Sequence, residues 1–140
     1  MSLEPLLSAS LVIQFHAFAA LGALLLGLVQ LIAPKGTLPH KALGAVWLFL
    51  MAIITISSIF IIPSVHGYDS PLTQWLSWIH VFTIATTLGI VSGVRHLLHG
   101  GPALKRHKWP FISIYVGGLV VAGAFTLLPG RIMNAVLFGG

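Results

Sequence analysis

The fold is decided by the stretch at residues 11–33, which reads LVIQFHAFAALGALLLGLVQLIA. It contains no Asp, Glu, Lys or Arg, and a helix of this length crosses the roughly 30 Å hydrocarbon core of a bilayer. Three more stretches have the same character, at residues 42–63, 75–98 and 110–128, and Arg95 is the one charged residue among the four. The sequence therefore predicts an all-α integral membrane protein, a four-transmembrane-helix bundle that forms a single domain over residues 1–140.

The composition also indicates that the chain lies in a lipid bilayer. Hydrophobic residues make up 57% of the chain and charged residues 6%, with a mean hydropathy of +1.02. A soluble domain carries about 25% charged residues, so this chain cannot cover a globule in water. The formal net charge of +5 arises from few basic residues gathered in two short segments, which is typical of membrane topology and not of a nucleic-acid partner. Since the chain has no Cys, disulfides and thiolate ligands are excluded.

The basic residues also predict how the chain is oriented. One group lies between the first two stretches, and a second flanks the link between the third and the fourth. Because Lys and Arg concentrate in cytoplasmic loops, the loops at 34–41 and 99–109 are expected in the cytoplasm. With four crossings, both termini and the 64–74 loop then lie on the outer, periplasmic side. The two groups are Lys35 and Lys41, and Arg95, Lys105, Arg106 and Lys108.

Four of the seven histidines are distributed one to each predicted helix, at two depths. His16 and His80 lie at matching depth near the outer ends of helices one and three. His40 and His107 lie where helices two and four begin at the inner face. An imidazole inside a membrane is costly unless it pairs, lines a cavity or binds a cofactor, so these residues are candidates for function.

Two facing imidazoles at one depth suit the axial ligation of a b-type haem. We therefore expect His16 and His80 to hold an outer haem b, and His40 and His107 to hold an inner one, with at least one of the two sites filled. The lack of Cys and of nearby carboxylates disfavours zinc or a hard cation. For the inner pair an interfacial role remains equally open on spacing alone. Three other histidines near predicted helix ends are interpreted as interfacial residues: His66, His96 and His99.

Several segments carry a resemblance. They are His40-Lys-Ala-Leu-Gly-Ala-Val-Trp47, Ser77-Trp-Ile-His80, Arg106-His-Lys108 and Pro129-Gly-Arg-Ile-Met-Asn134. From about His16 to Phe138 the chain resembles a bacterial four-helix membrane family catalogued as domain of unknown function 2306. That family pattern has histidines at the positions of His16, His40, His80 and His107. Pro110 stands where the family typically has Met or another helix former, which leaves open whether His107 lies on helix four.

The arrangement of one His per helix is also similar to that of di-haem transmembrane cytochromes b, in which alternate helices pair. Together these observations predict a multi-pass, cytochrome b-like electron-transfer protein of the bacterial inner membrane, a membrane oxidoreductase or electron carrier. Its partners would be lipid and either quinone or a larger redox complex. Two alternatives stay open: a non-haem accessory subunit of a larger respiratory or photosynthetic membrane complex, and a transition-metal transport or chaperone protein. The metal alternative is weaker because soft sulfur ligands are scarce.

Overall fold

The computed structural model describes residues 2–61 and 78–139, without the side chains at positions 78, 79, 103 and 104. Within these residues the chain is helical and contains no strand. In chain order the elements are α1 (Glu4–Leu7), α2 (Leu11–Ile32), α3 (Leu38–Phe60), α4 (Trp78–His99), α5 (Gly101–Leu104), α6 (Lys108–Ser113), a π-helix (Ile114–Val121), α7 (Ala122–Phe125) and α8 (Ile132–Phe138).

Four of these segments are long and apolar enough to cross a membrane, which confirms the predicted all-α fold with four candidate spans. We call them span one (α2), span two (α3), span three (α4) and span four, which joins α6, the π-helix and α7 as Lys108–Phe125. Span one ends within one residue of the predicted boundary. The predicted start of span three at residue 75, the 64–74 loop and His66 lie outside the described residues.

Span two begins at Leu38, earlier than the predicted start at residue 42. Thr37 forms the N-cap, and its hydroxyl accepts a hydrogen bond from the backbone N–H of His40 at 3.3 Å. Pro39 occupies the first turn, where its missing N–H has no intrahelical partner to lose. A proline in this position is compatible with the first turn of a capped helix. His40 therefore lies within the first turn of span two.

Span four begins at Lys108, with His107 as its N-cap residue in helical conformation. His107 therefore lies immediately before the first residue of the helix and not within it. Six residues after Lys108, the backbone enters a π-helix over Ile114–Val121 and returns to α-helix at Ala122. A π-helical segment inside a span changes the register of the side chains that follow it.

The four spans pack in a ring, in which each span contacts the one before it and the one after it. Span one packs most extensively on span two, span two contacts span three, span three contacts span four, and the π-helix of span four contacts span one. Spans one and three are therefore diagonal partners, as are spans two and four. These are the two pairings that the histidine positions predicted for the haem sites.

The interior midway along the bundle is filled by an aromatic cluster, which consists of Trp47, Phe111 and Tyr115. Trp47 is 5% exposed, and its indole N–H donates to the carbonyl of Ala23 at 2.9 Å. The hydroxyl of Tyr115 donates to the carbonyl of Leu24 at 3.2 Å, and the rings of Trp47 and Phe111 meet edge to face at 5.8 Å. Spans one, two and four are thus joined through this cluster.

Gly27 allows the close approach on which the aromatic cluster depends. A Cβ atom at this position would lie 2.5 Å from Cδ2 of Tyr115 and 2.9 Å from Nε1 of Trp47. Both distances are shorter than van der Waals contact, so any side chain here would displace the two rings. Small residues at such crossings are how membrane helices approach one another closely.

The chain ends meet at one end of the bundle. The backbone N–H of Ser2 donates to the carbonyl of Val136 at 3.1 Å, which joins α1 to α8. Leu6 of α1 and Val136 of α8 are buried in this contact region. Gln14 of span one adds two bonds from its side-chain amide to backbone carbonyls of the preceding turn. Both termini therefore lie at the end where span one begins.

Candidate functional site: two histidine layers

The first site is the His16 layer, which consists of His16, Ser57, Ser58, His80 and Thr83. Nδ1 of His16 on span one lies 2.9 Å from Oγ of Ser57 on span two. The Ser57 hydroxyl also lies 2.6 Å from the carbonyl of Ile53, one turn earlier in its own helix. His16 is only partly exposed within an otherwise apolar span. The imidazole is therefore held by a hydrogen bond within the membrane-crossing part of the bundle.

The neighbouring serine extends this layer to span three. Oγ of Ser58 lies 2.9 Å from Oγ1 of Thr83, and Ser58 itself is 6% exposed. His80 precedes Thr83 by about one helical turn, and its Nε2 atom is buried. The two adjacent serines thus contact His16 on one side and the turn that follows His80 on the other. Two contacts of adjacent serines therefore connect the region of His16 to the region of His80.

The second site is the His40 layer, which consists of Gln30, His40 and His107. The side-chain amide of Gln30 on span one donates through Nε2 to the backbone carbonyl of His40 at 2.8 Å. Gly44, one turn further along span two, leaves room for this side chain, because a Cβ atom there would lie 3.2 Å from Nε2 of Gln30. The two spans are joined at this end through the amide rather than through the imidazole.

Two buried polar atoms of this layer have no hydrogen-bond partner among the described residues: Oε1 of Gln30 and Nδ1 of His40. A buried polar atom without a partner costs roughly 1–3 kcal/mol, so native structures almost always supply one. The His40 layer therefore retains hydrogen-bonding and ligating capacity that its own side chains do not use.

The electrostatic environment of the His40 layer is positive. Lys35 carries a positive charge close enough to act on the imidazole of His40. The ring of His107 also packs edge to face against Phe111, with centroids 6.0 Å apart. Through Phe111 this layer adjoins the aromatic cluster, which separates it from the His16 layer.

The remaining histidines are placed differently. His99 is exposed, and its Nδ1 atom lies 2.7 Å from the carbonyl of Arg95 one turn earlier. His96 is partly exposed near the end of the same span. Among the described residues no group of three or more His, Cys, Asp or Glu is close enough to hold a metal ion.

Haem is the group that the sequence implies, and two observations bear on whether these residues fit it. An imidazole that ligates iron through one nitrogen usually donates its other N–H to an oxygen, and Ser57 is such a partner for His16. At His40 the buried and unpartnered Nδ1 atom leaves a nitrogen to be satisfied by a bound group. The residues of both layers are chemically compatible with haem.

Sequence reasoning missed Ser57 and Gln30. The hydroxyl of Ser57 bonds to its own helix, as is common for serine in helices, but it also contacts His16. Gln30 could have been found, since a carboxamide inside an apolar stretch needs a partner in a membrane. Which histidine Ser57 or Gln30 contacts depends on how each helix is rotated about its axis. Periodicity in the sequence does not determine that rotation.

Comparison of the chain with models of known protein families, with curated proteins and with solved structures found no match.

Proposed function

We propose that this chain is a membrane cytochrome b-like protein that binds b-type haem between its paired imidazoles and transfers electrons. The observation that carries the proposal is the hydrogen bond between His16 and Ser57 inside a membrane span. A histidine at this depth requires a function or a partner, and a hydroxyl on Nδ1 is the arrangement found behind metal-ligating imidazoles.

In this proposal His16 and His80 hold one haem, and His40 and His107 hold the other. Bound haem would supply one-electron redox chemistry, and the chain supplies ligation, burial and charge. Around the His40 layer the basic side chains would pair with the haem propionates through charge-assisted hydrogen bonds. The residues available for this are Lys35, Arg95, Lys105, Arg106 and Lys108.

The outward surface and the loops support the location that we propose. Large apolar side chains are exposed along the spans, as at Leu25 (68%), Phe49 (65%) and Leu88 (65%), and lipid is the solvent that suits them. We place the chain in the bacterial inner membrane with its basic loops in the cytoplasm. Both termini, which meet at the His16 end, then lie on the periplasmic side. Quinone or a larger redox complex would exchange the electrons.

The test is a reduced-minus-oxidised absorbance spectrum of the protein purified in detergent. We expect the sharp bands of a low-spin, six-coordinate b-type haem, diminished in H16A and retained in H99A. His99 is the matched control because it is an exposed histidine that bonds only to its own helix in the described contacts. A colourless wild-type protein after haem supplementation would contradict the proposal. If that protein co-purified with larger membrane subunits, the accessory-subunit alternative would be favoured instead.

A further inference from the structure

The hydroxyl of Ser57 determines which nitrogen of His16 carries the ring proton. We infer that Ser57 is a positioning residue that holds neutral His16 as the Nδ1–H tautomer, with the lone pair on Nε2. A neutral imidazole has one N–H donor and one acceptor nitrogen, and the hydrogen bond made by one nitrogen fixes the role of the other. Three distances around Oγ of Ser57 support this assignment.

The first two distances fix where the Ser57 proton points. Oγ lies 2.6 Å from the carbonyl of Ile53 and 3.1 Å from the carbonyl of Ile54. A carbonyl oxygen can only accept, so the single O–H proton must point to this side, in the back-bonded geometry common for serine in helices. If the proton pointed elsewhere, two oxygen lone pairs would face each other at 2.6 Å.

The third distance then fixes the histidine. Nδ1 of His16 lies 2.9 Å from the same Oγ atom, which has lone pairs left but no second proton. Nδ1 must therefore donate, and Nε2 carries the lone pair.

The consequence for metal binding is direct, because only an unprotonated ring nitrogen can coordinate iron. With the proton held on Nδ1, Nε2 is the ligating atom, and Ser57 acts on the iron only through the imidazole. This consequence depends on the function proposed above, whereas the tautomer does not. The two ideas can therefore fail separately.

The chain offers a close control in Ser58. Its hydroxyl is also back-bonded, at 2.7 Å from the carbonyl of Thr55, but its second contact is Thr83 and not a histidine. Ser57→Ala and Ser58→Ala thus remove the same group from adjacent positions of one helix. Ser57→Thr keeps the hydroxyl and serves as the rescue variant.

The experiment is ¹⁵N NMR of ring-labelled histidine in detergent-purified protein without haem, at about pH 8, where an ordinary imidazole is neutral. The signals of His16 are those missing from H16A. We expect wild type, S58A and S57T to show protonated Nδ1 and unprotonated Nε2, and S57A to shift toward the opposite tautomer. Protonated Nε2 in the wild type, or an unchanged pattern in S57A, would overturn the inference.

The same variants loaded with haem separate this inference from the proposed function. If the tautomer pattern is as expected but no variant binds haem, the positioning role stands and the cytochrome proposal fails. If haem binds and S57A shifts neither the tautomer nor the midpoint potential, the cytochrome proposal stands and the role of Ser57 is wrong. We expect S57A to shift the midpoint potential by more than S58A does, because Ser57 contacts the proposed ligand directly.

Discussion

The two histidine layers differ in how their imidazoles are satisfied. In the His16 layer, Ser57 bonds to Nδ1 of His16, and Ser58 continues the contacts to span three. In the His40 layer, the side-chain amide of Gln30 donates to the backbone carbonyl of His40. Oε1 of Gln30 and Nδ1 of His40 are then two buried polar atoms without partners among the described residues. The ring of His16 is thus held by a side-chain hydrogen bond, whereas the described contacts give no such bond to the ring of His40.

This difference teaches where a bound group would matter most for stability. A ligand that satisfies Nδ1 of His40 or Oε1 of Gln30 removes an unfavourable contribution of roughly 1–3 kcal/mol per atom. A ligand at the His16 layer meets a ring that is already oriented, so less ordering is needed on binding. We therefore expect the ring of His16 to be better oriented before binding than the ring of His40.

The largest loss of stability is expected from a change that displaces the aromatic cluster between the two histidine layers. Gly27→Ala places a Cβ atom against Tyr115 and Trp47, so it displaces the aromatic cluster and strains two buried hydrogen bonds. We expect the free energy of unfolding to fall by about 3 kcal/mol. Denaturation by SDS in mixed micelles measures this. Gly117→Ala is the control, since a Cβ atom there would meet nothing within 4 Å. Equal losses for the two variants would show that the cluster is not tightly packed.

A smaller loss is expected when the cluster keeps its shape but loses one donor. Trp47→Phe removes the N–H that binds the Ala23 carbonyl and part of the ring volume, and should cost about 2 kcal/mol. Trp109→Phe should change stability by less than about 0.5 kcal/mol, because Trp109 is 63% exposed. The same micelle titration compares the two. A Trp47→Phe variant as stable as Trp109→Phe would contradict the interior position of Trp47.

The smallest change in stability is expected at Gln30, and it allows a direct comparison of the two layers. Gln30→Leu deletes the bond to the His40 carbonyl but also removes the unpartnered Oε1 atom, and these contributions oppose each other. In haem-free protein we expect a net change within about 0.5 kcal/mol, less than the roughly 1 kcal/mol expected for Ser57→Ala. Thermal melts of both variants test the order. The reverse order would mean that the His40 layer is the more complete of the two.

The four spans could be predicted from the sequence because a helix that crosses a lipid bilayer must be apolar and about 20 residues long. Runs without charge of about 20 residues predicted four spans, and the structure has four segments that qualify. The predicted start of span two at residue 42 was too late, because Thr37 caps the helix and Leu38 is its first residue. Capping by a threonine side chain is a local signal that hydropathy alone does not contain.

The candidate sites were predictable in part. The four histidines could be assigned to levels from their positions along the spans, but their partners could not. Ser57 reaches His16 only because spans one and two are rotated so that these residues face each other, and rotation is set by packing at small residues such as Gly27. Similarly, Gln30 serves the backbone of His40 because Gly44 leaves the space. Contacts between helices depend on tertiary packing, which hydropathy does not encode.

The most direct test of the account is the haem-to-protein ratio, measured as pyridine haemochrome on wild type, H16A and H40A purified in detergent. If each layer holds its own group, the wild type binds two haems per chain and each variant retains one. A wild type without haem, or two variants that both retain the full wild-type ratio, would contradict the assignment of the imidazoles as ligands.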